Sequence, residues 1–231
     1  NLRSDKPCVT ENHLEDAFVQ LFRGTPGRVF VAWSAQNIDR TVTLYRACLT
    51  AGRTLAVDLY TAEVMEVAAD FGKLPRPGWD NLKVVITSAF GRMYRRIGRE
   101  GFVERMVPFG ISASKLTETP ERWVAMVRGS LVPDYSHKGV VPNPNDAWCW
   151  SMWSGYLSNE DGACVRRWFD SGGTRAEHIH ASGHASPSDL RAFARAMDAK
   201  QLVPIHGLDW DGDAAGFPDM RRLADGEVMT L

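Results

Sequence analysis

Three of the chain's six histidines, His178, His180 and His184, fall within seven positions in the stretch HIHASGHAS. A fourth, His206, follows in QLVPIHG, 22 positions after His184. Imidazole is the commonest metal ligand and the side chain whose proton affinity suits acid–base work near neutral pH. Such a concentration therefore points to metal binding or proton transfer. An ordinary hydrogen-bonded place is the default for any single histidine, and His178 is read that way; His13 and His137 stand isolated. A catalytic zinc site takes about three protein ligands plus water, and the sequence contains neither HxHxDH nor HExxH. Taken alone, these residues describe half a site.

The elements around them say how two imidazoles could converge. The segment 176–182, AEHIHAS, reads as a strand, with His178, His180 and Ser182 on one face. Gly183 allows a sharp exit, Ser186 can cap a helix, and Pro187 suits its first position with Asp189 in its first turn. Leu190, Phe193, Ala194 and Met197 give that helix an apolar face, and QLVPIHG then reads as a further strand. This is a βαβ pattern. If its two strands are neighbours, His184 and His206 enter one crevice at the carboxyl ends of a parallel sheet, where open α/β sheets bind ligands.

The rest of the chain has the same alternation. Strands are expected at 28–33, 54–60, 82–90, 122–129 and 147–155. A helix over 37–52 presents Ile38, Thr41, Val42, Tyr45 and Leu49 on one face, and Thr61 can cap another that stops at Gly72. The expected fold is α/β, a mostly parallel sheet with helices on both faces.

The 231 residues carry a net charge of −1, so any contact with nucleic acid must come from a local patch. Cys8, Cys48, Cys149 and Cys164 lie far apart with no CxxC, which argues against a cysteine zinc site and for reduced thiols in a cytoplasmic protein. No apolar run reaches the length of a membrane span and no signal peptide is read. The chain begins at Asn1, which suggests a processed or excised piece.

The run HASGHASPSDL…QLVPIHG resembles the last two signature motifs of the β-CASP branch of the metallo-β-lactamase superfamily, which includes ribonuclease J and the nucleases of mRNA 3′-end formation. His184 sits in the SGH element and His206 in the P-x-H-G element, at the family's spacing. The segment VFVAWSAQNIDRTVTLYRACLTAGRTLAV resembles the first β-CASP strand, loop, helix and strand. The resemblance implies a β-CASP cassette over 1–175 and, over 176–231, the return segment of a metallo-β-lactamase domain. The HxHxDH half would lie in a partner segment N-terminal to Asn1. It further implies that His206 ligates zinc, one ion of a two-metal pair, and that His184 orients the scissile phosphate or protonates the leaving group. His180 and Ser182, with Ser34 and Asn37 of the loop at a helix N-terminus, would hold a substrate phosphate. Ribonuclease J has Ala-Ser-Asn in that loop where this chain has Ala35-Gln36-Asn37, which puts a 5′-phosphate pocket in doubt. A histidine at position 206 follows the RNA-processing members rather than the DNA-repair ones.

The implied activity is zinc-dependent phosphodiester cleavage, with RNA as substrate and a second copy of the chain as a further candidate partner. A non-catalytic nucleic-acid-binding or scaffold domain and a metal hydrolase of small molecules stand as alternatives. Arg92, Arg95, Arg96 and Arg99 around Tyr94 form either a phosphate-binding stripe with a stacking ring or a solvated face paired with Glu100 and Glu104. In WCWSMWSGY, Trp150 and Met152 read as core, with a substrate channel as the other reading.

Overall fold

The computed structural model describes residues 9–181, 183, 185–205 and 216–229. The chain divides into two compact units, Thr10–His180 and Ala181–Leu231 together with Asn1–Val9.

The first unit runs α1 (Glu11–Arg23), β1 (Val29–Ala32), α2 (Ile38–Ala51), β2 (Thr54–Asp58), α3 (Leu59–Ala68), β3 (Leu82–Val85), α4 (Ser88–Arg96), α5 (Glu100–Met106), β4 (Gly110–Ile111), β5 (Trp123–Met126), α6 (Val132–His137), β6 (Ala147–Trp150), α7 (Glu160–Asp170) and β7 (Arg175–His178). The seven strands form one parallel sheet in the order β4-β3-β2-β5-β1-β6-β7. The expected α/β class is borne out. Every residue of β1, β2, β5 and β6 is buried, because helices cover both faces of a parallel sheet. On one face Phe30, Ala32, Ala125, Trp148 and Trp150 meet Tyr135 of α6 and Val165 and Phe169 of α7. Trp148 stacks on Phe169 with centroids 5.1 Å apart. The edge strand β7 is exposed along its whole length.

Topology decides where the working end lies. From β1 the chain moves to β2, β3 and β4, returns to β5 beside β1, and then moves the other way to β6 and β7. The direction reverses around β1, so the crevice of this fold lies at the carboxyl ends of β1 and its neighbours. At the opposite end a buried pair fixes β1 against β6: Arg28 donates through Nη2 to Asp146 Oδ2 at 2.6 Å and through Nε to Oδ1 at 3.1 Å.

Several boundaries differ from the sequence expectation, each for a local reason. The strand expected over 54–60 ends at Asp58, because the Asp58 carboxylate accepts from Thr61 N at 2.8 Å and caps α3 itself. The one expected over 82–90 ends at Val85, since Thr87 caps α4. Helix α2 buries Arg40, Thr41, Leu44, Tyr45, Ala47 and Cys48, while Leu49, expected inside, is exposed. The buried face lies about one residue round the helix from the expected one, because Arg40 occupies a core position.

In the second unit α8 spans Pro187–Ala196. Ser186 caps it, accepting from Asp189 N at 3.1 Å, with Pro187 in the first turn as expected. Ala194 is buried, but Phe193 and Met197 are exposed. Among the described residues the strand expected over 201–207 is a single parallel bridge, Leu202 to Met220. Ser182, His184, His206 and Gly207 lie outside the described residues.

Candidate functional site

Three strand exits lie side by side at the carboxyl edge of the sheet. The exit of β1 is a tight turn. Asn37 N donates to Ser34 O at 3.0 Å, and the Asn37 side chain accepts from Arg40 N at 3.0 Å, capping α2. Trp33 Nε1 donates to Thr41 Oγ1 at 3.0 Å and pins the turn to the helix. Ser34, Gln36 and Asn37 are left exposed at the N-terminus of α2, where unpaired N–H groups and the helix dipole favour an anion.

The exit of β6 is Ser151, whose N donates to Ala32 O at 2.8 Å and extends the β1–β6 ladder by one step. Its side chain and carbonyl meet Arg40. This arginine is completely buried. Its Nε and Nη2 donate to Glu11 Oε2 and Oε1 at 3.1 and 2.9 Å, and its Nη1 donates to Ser151 O at 3.1 Å and to Ser151 Oγ. Ser151 Oγ in turn donates to Ile179 O at 2.6 Å, just past β7. One guanidinium therefore joins the start of α1, the first turn of α2 and the exits of β6 and β7.

His180 follows Ile179. It is half-buried, its ring lies 5.9 Å from that of His178 at 26°, and its Nδ1 is buried with no hydrogen-bond partner among the described residues. Burial, then the charges of Arg40 and His178, hold its pKa below the ordinary value, so the ring is neutral at pH 7. Burial pushes the Glu11 carboxyl up, but the hydrogen bond and charge of Arg40, with help from Thr43, outweigh it and leave the pKa below the usual range. A neutral imidazole with an unsatisfied nitrogen suits a ligand oxygen or proton, because a buried polar atom without a partner carries a desolvation cost that a ligand removes.

Of the six residues singled out by the sequence, Ser34 and Asn37 stand at the exit of β1 and His180 at the exit of β7. These strands flank β6, so the two exits are about 10 Å apart at ordinary strand spacing. Ser182, His184 and His206 lie outside the described residues. Sequence reasoning missed Arg40, Glu11 and Ser151. The signal for Arg40 was its register with Leu44 and Cys48, four and eight residues on, both fully buried.

Farther along the same edge, Asp58 Oδ2 lies 3.2 Å from Arg128 Nε, and the guanidinium lies over the Tyr60 ring. The arginine stripe does not offer a stacking ring: Tyr94 is buried against Phe102 and its hydroxyl donates to Glu63 Oε2 at 2.6 Å. Arg99 pairs with Glu63 rather than with Glu100 or Glu104. Arg92, Arg95 and Arg96 are exposed. In the tryptophan-rich segment Trp148 and Trp150 are core, Met152 packs against the core, and Trp153 and Tyr156 are exposed. Among the described residues no group of three or more His, Cys, Asp or Glu side chains is placed to hold a metal, and no helix is long and apolar enough to cross a membrane.

Comparison with known proteins adds two findings. The chain is similar in fold to a crystal structure of a protein of unknown function from Enterococcus faecalis V583, with a TM-score of 0.64 and 16% identity over 98% of this chain. The chain spans 48% of that protein's length. No curated protein matches it. Residues 174–210, which include β7, the histidine cluster, α8 and the PIHG element, match the RMMBL family, the Zn-dependent metallo-hydrolase RNA specificity domain.

Proposed function

We propose that this chain is part of a zinc-dependent metallo-β-lactamase-fold hydrolase that cleaves phosphodiester bonds in RNA. The observation that carries the reading is the match of residues 174–210 to a Zn-dependent metallo-hydrolase RNA specificity domain, on the segment that holds four of the six histidines. In this reading 1–175 is a β-CASP cassette and 176–231 a return segment that begins within β7; the compact units themselves divide at His180/Ala181. Ser34, Asn37, His180 and Ser182 seat a substrate phosphate. Support comes from the α2 N-terminus at the first pair and from the unpartnered imidazole nitrogen of His180. His184 orients the scissile phosphate or protonates the leaving oxygen.

The described residues do not fit a metal centre of their own. His206 is the one zinc ligand the reading takes from this chain, and the remaining ligands belong to an N-terminal metallo-β-lactamase half as partner. A cytoplasmic setting is part of the same proposal; burial raises the Cys149 thiol to about 12.

The test is binding of a short unstructured RNA to the chain, wild type against Asn37→Ala and His180→Ala, with metal content measured after dialysis. Weaker binding by both variants and less than one zinc per chain are expected. RNA binding that ignores both substitutions, or two tightly held zinc ions with phosphodiesterase activity in this chain alone, would overturn the assignment.

A further inference from the structure

Trp153 and Tyr156 are the feature of the carboxyl edge that the phosphate seats leave unused. Trp153 immediately precedes the 3-10 turn Ser154–Ser158 that follows β6, and Tyr156 lies within it; they are 62% and 52% exposed, with ring centroids 5.3 Å apart and planes at 87°. An exposed indole is normally mobile, but this one is held. A Cβ on Gly155 would fall 2.3 Å from Cζ3 and Cη2 of Trp153, so the ring lies directly over the glycine backbone, and any side chain there would displace it. The Trp153 carbonyl accepts from both Trp150 Nε1 and Tyr156 N, each at 3.1 Å. The preceding Met152 O is bonded to His178 Nε2 at 3.0 Å, which ties the segment to β7. Trp153 thus packs on the Gly155 backbone and meets Tyr156 at a right angle, on a segment tied to β7.

Its position gives the occupant. The segment leaves β6, the strand between β1 and β7, so Trp153 belongs to the exit between the Ser34–Asn37 turn and His180. Two candidate phosphate seats with a fixed indole between their strands match the alternation of phosphate and base in a single strand. A base can stack on an indole whatever its hydrogen-bonding edge, and pre-ordering the ring removes much of the entropic cost of capture.

We propose that Trp153, braced by Tyr156 and seated on Gly155, is a stacking platform for one nucleobase of a single-stranded RNA. The proposal rests on the phosphodiester-substrate reading above and names the contact that holds the base rather than the phosphate.

The experiment measures binding of a labelled unstructured RNA to the chain, for wild type, Trp153→Ala and Trp153→Phe, against the intact RNA and against versions with one abasic position moved along the strand. Trp153→Ala should weaken binding by roughly 5- to 150-fold, the range for losing one stacked base, and Trp153→Phe should retain most of the affinity. One abasic position should weaken the wild type by a similar factor and leave Trp153→Ala unaffected. If RNA binds but neither Trp153→Ala nor any abasic position matters, the platform is refuted while the phosphodiester reading stands. If the wild type binds no RNA, both fall together. If sedimentation shows a wild-type dimer that Trp153→Ala dissociates, the ring faces a second copy and the proposal is overturned.

Discussion

The most informative perturbation is at the buried Arg40–Glu11 pair, because the two partners differ so much in solvent access. The Arg40 side chain is 0% exposed and that of Glu11 32%. Replacing Glu11 with leucine strands a guanidinium that water cannot reach, a loss of about 3–5 kcal/mol for an uncompensated buried charge. Replacing Arg40 with methionine leaves a carboxylate that can rehydrate. The main cost is then the Ser151 carbonyl deprived of its donor, together with part of the ion-pair term, about 2–4 kcal/mol. Against a total stability on the order of 5–15 kcal/mol either loss is large. The pair replaced together, Glu11→Leu/Arg40→Met, removes both charges and should cost about as much as Arg40→Met alone, since a well-packed apolar pair often replaces a buried ion pair at little cost. Urea unfolding at pH 7, with the slope checked for constancy, reads all three. The expected order is Glu11→Leu worst, with a coupling energy clearly above 1 kcal/mol. Additive losses, or Arg40→Met worse than Glu11→Leu, would show that burial asymmetry does not govern this node.

The neighbourhood of His180 carries a pH dependence of its own. His180 has a folded pKa below its ordinary 6.5 and Glu11 one below its ordinary 4.5, so each contributes stability that is present above the ordinary value and lost as pH falls through the folded one. Stability should therefore begin to decline below about pH 6.5 and fall again below about pH 4.5; His180→Gln should remove the first decline, and Arg40→Met should raise the His180 pKa in an NMR titration, whereas an unchanged value would rule out the arginine's field. Arg95→Ala/Arg96→Ala together should weaken RNA binding and flatten its salt dependence by about 0.7 per phosphate released; identical salt curves would make these exposed arginines a solvated helix face.

What the sequence made legible was what depends on local pattern. Apolar runs such as 28–33 and 82–85 marked buried parallel strands because such strands need no alternation, and Ser186-Pro187 marked the start of α8 because a cap and an N1 proline act within four residues. Strand ends were overestimated wherever a capping side chain at the strand's own end turned the chain early, as at Asp58 and Thr87. Tyr94 shows a different failure. Among four arginines it reads as surface, yet its ring belongs to the core and its hydroxyl to Glu63, 31 residues away. No window of sequence contains that partner. Arg40 failed for the same reason on a larger scale, since its four acceptors come from Glu11 and Ser151, which lie 29 and 111 residues away. Buried charge is tolerated only where long-range partners saturate it, so the residues that position a site are those a linear reading assigns to the solvent face. The histidines were legible because imidazole announces its chemistry by type. Arg40, which lowers the His180 pKa and fixes the exits of β6 and β7, announces its role only when the sheet brings α1, α2 and β6 together.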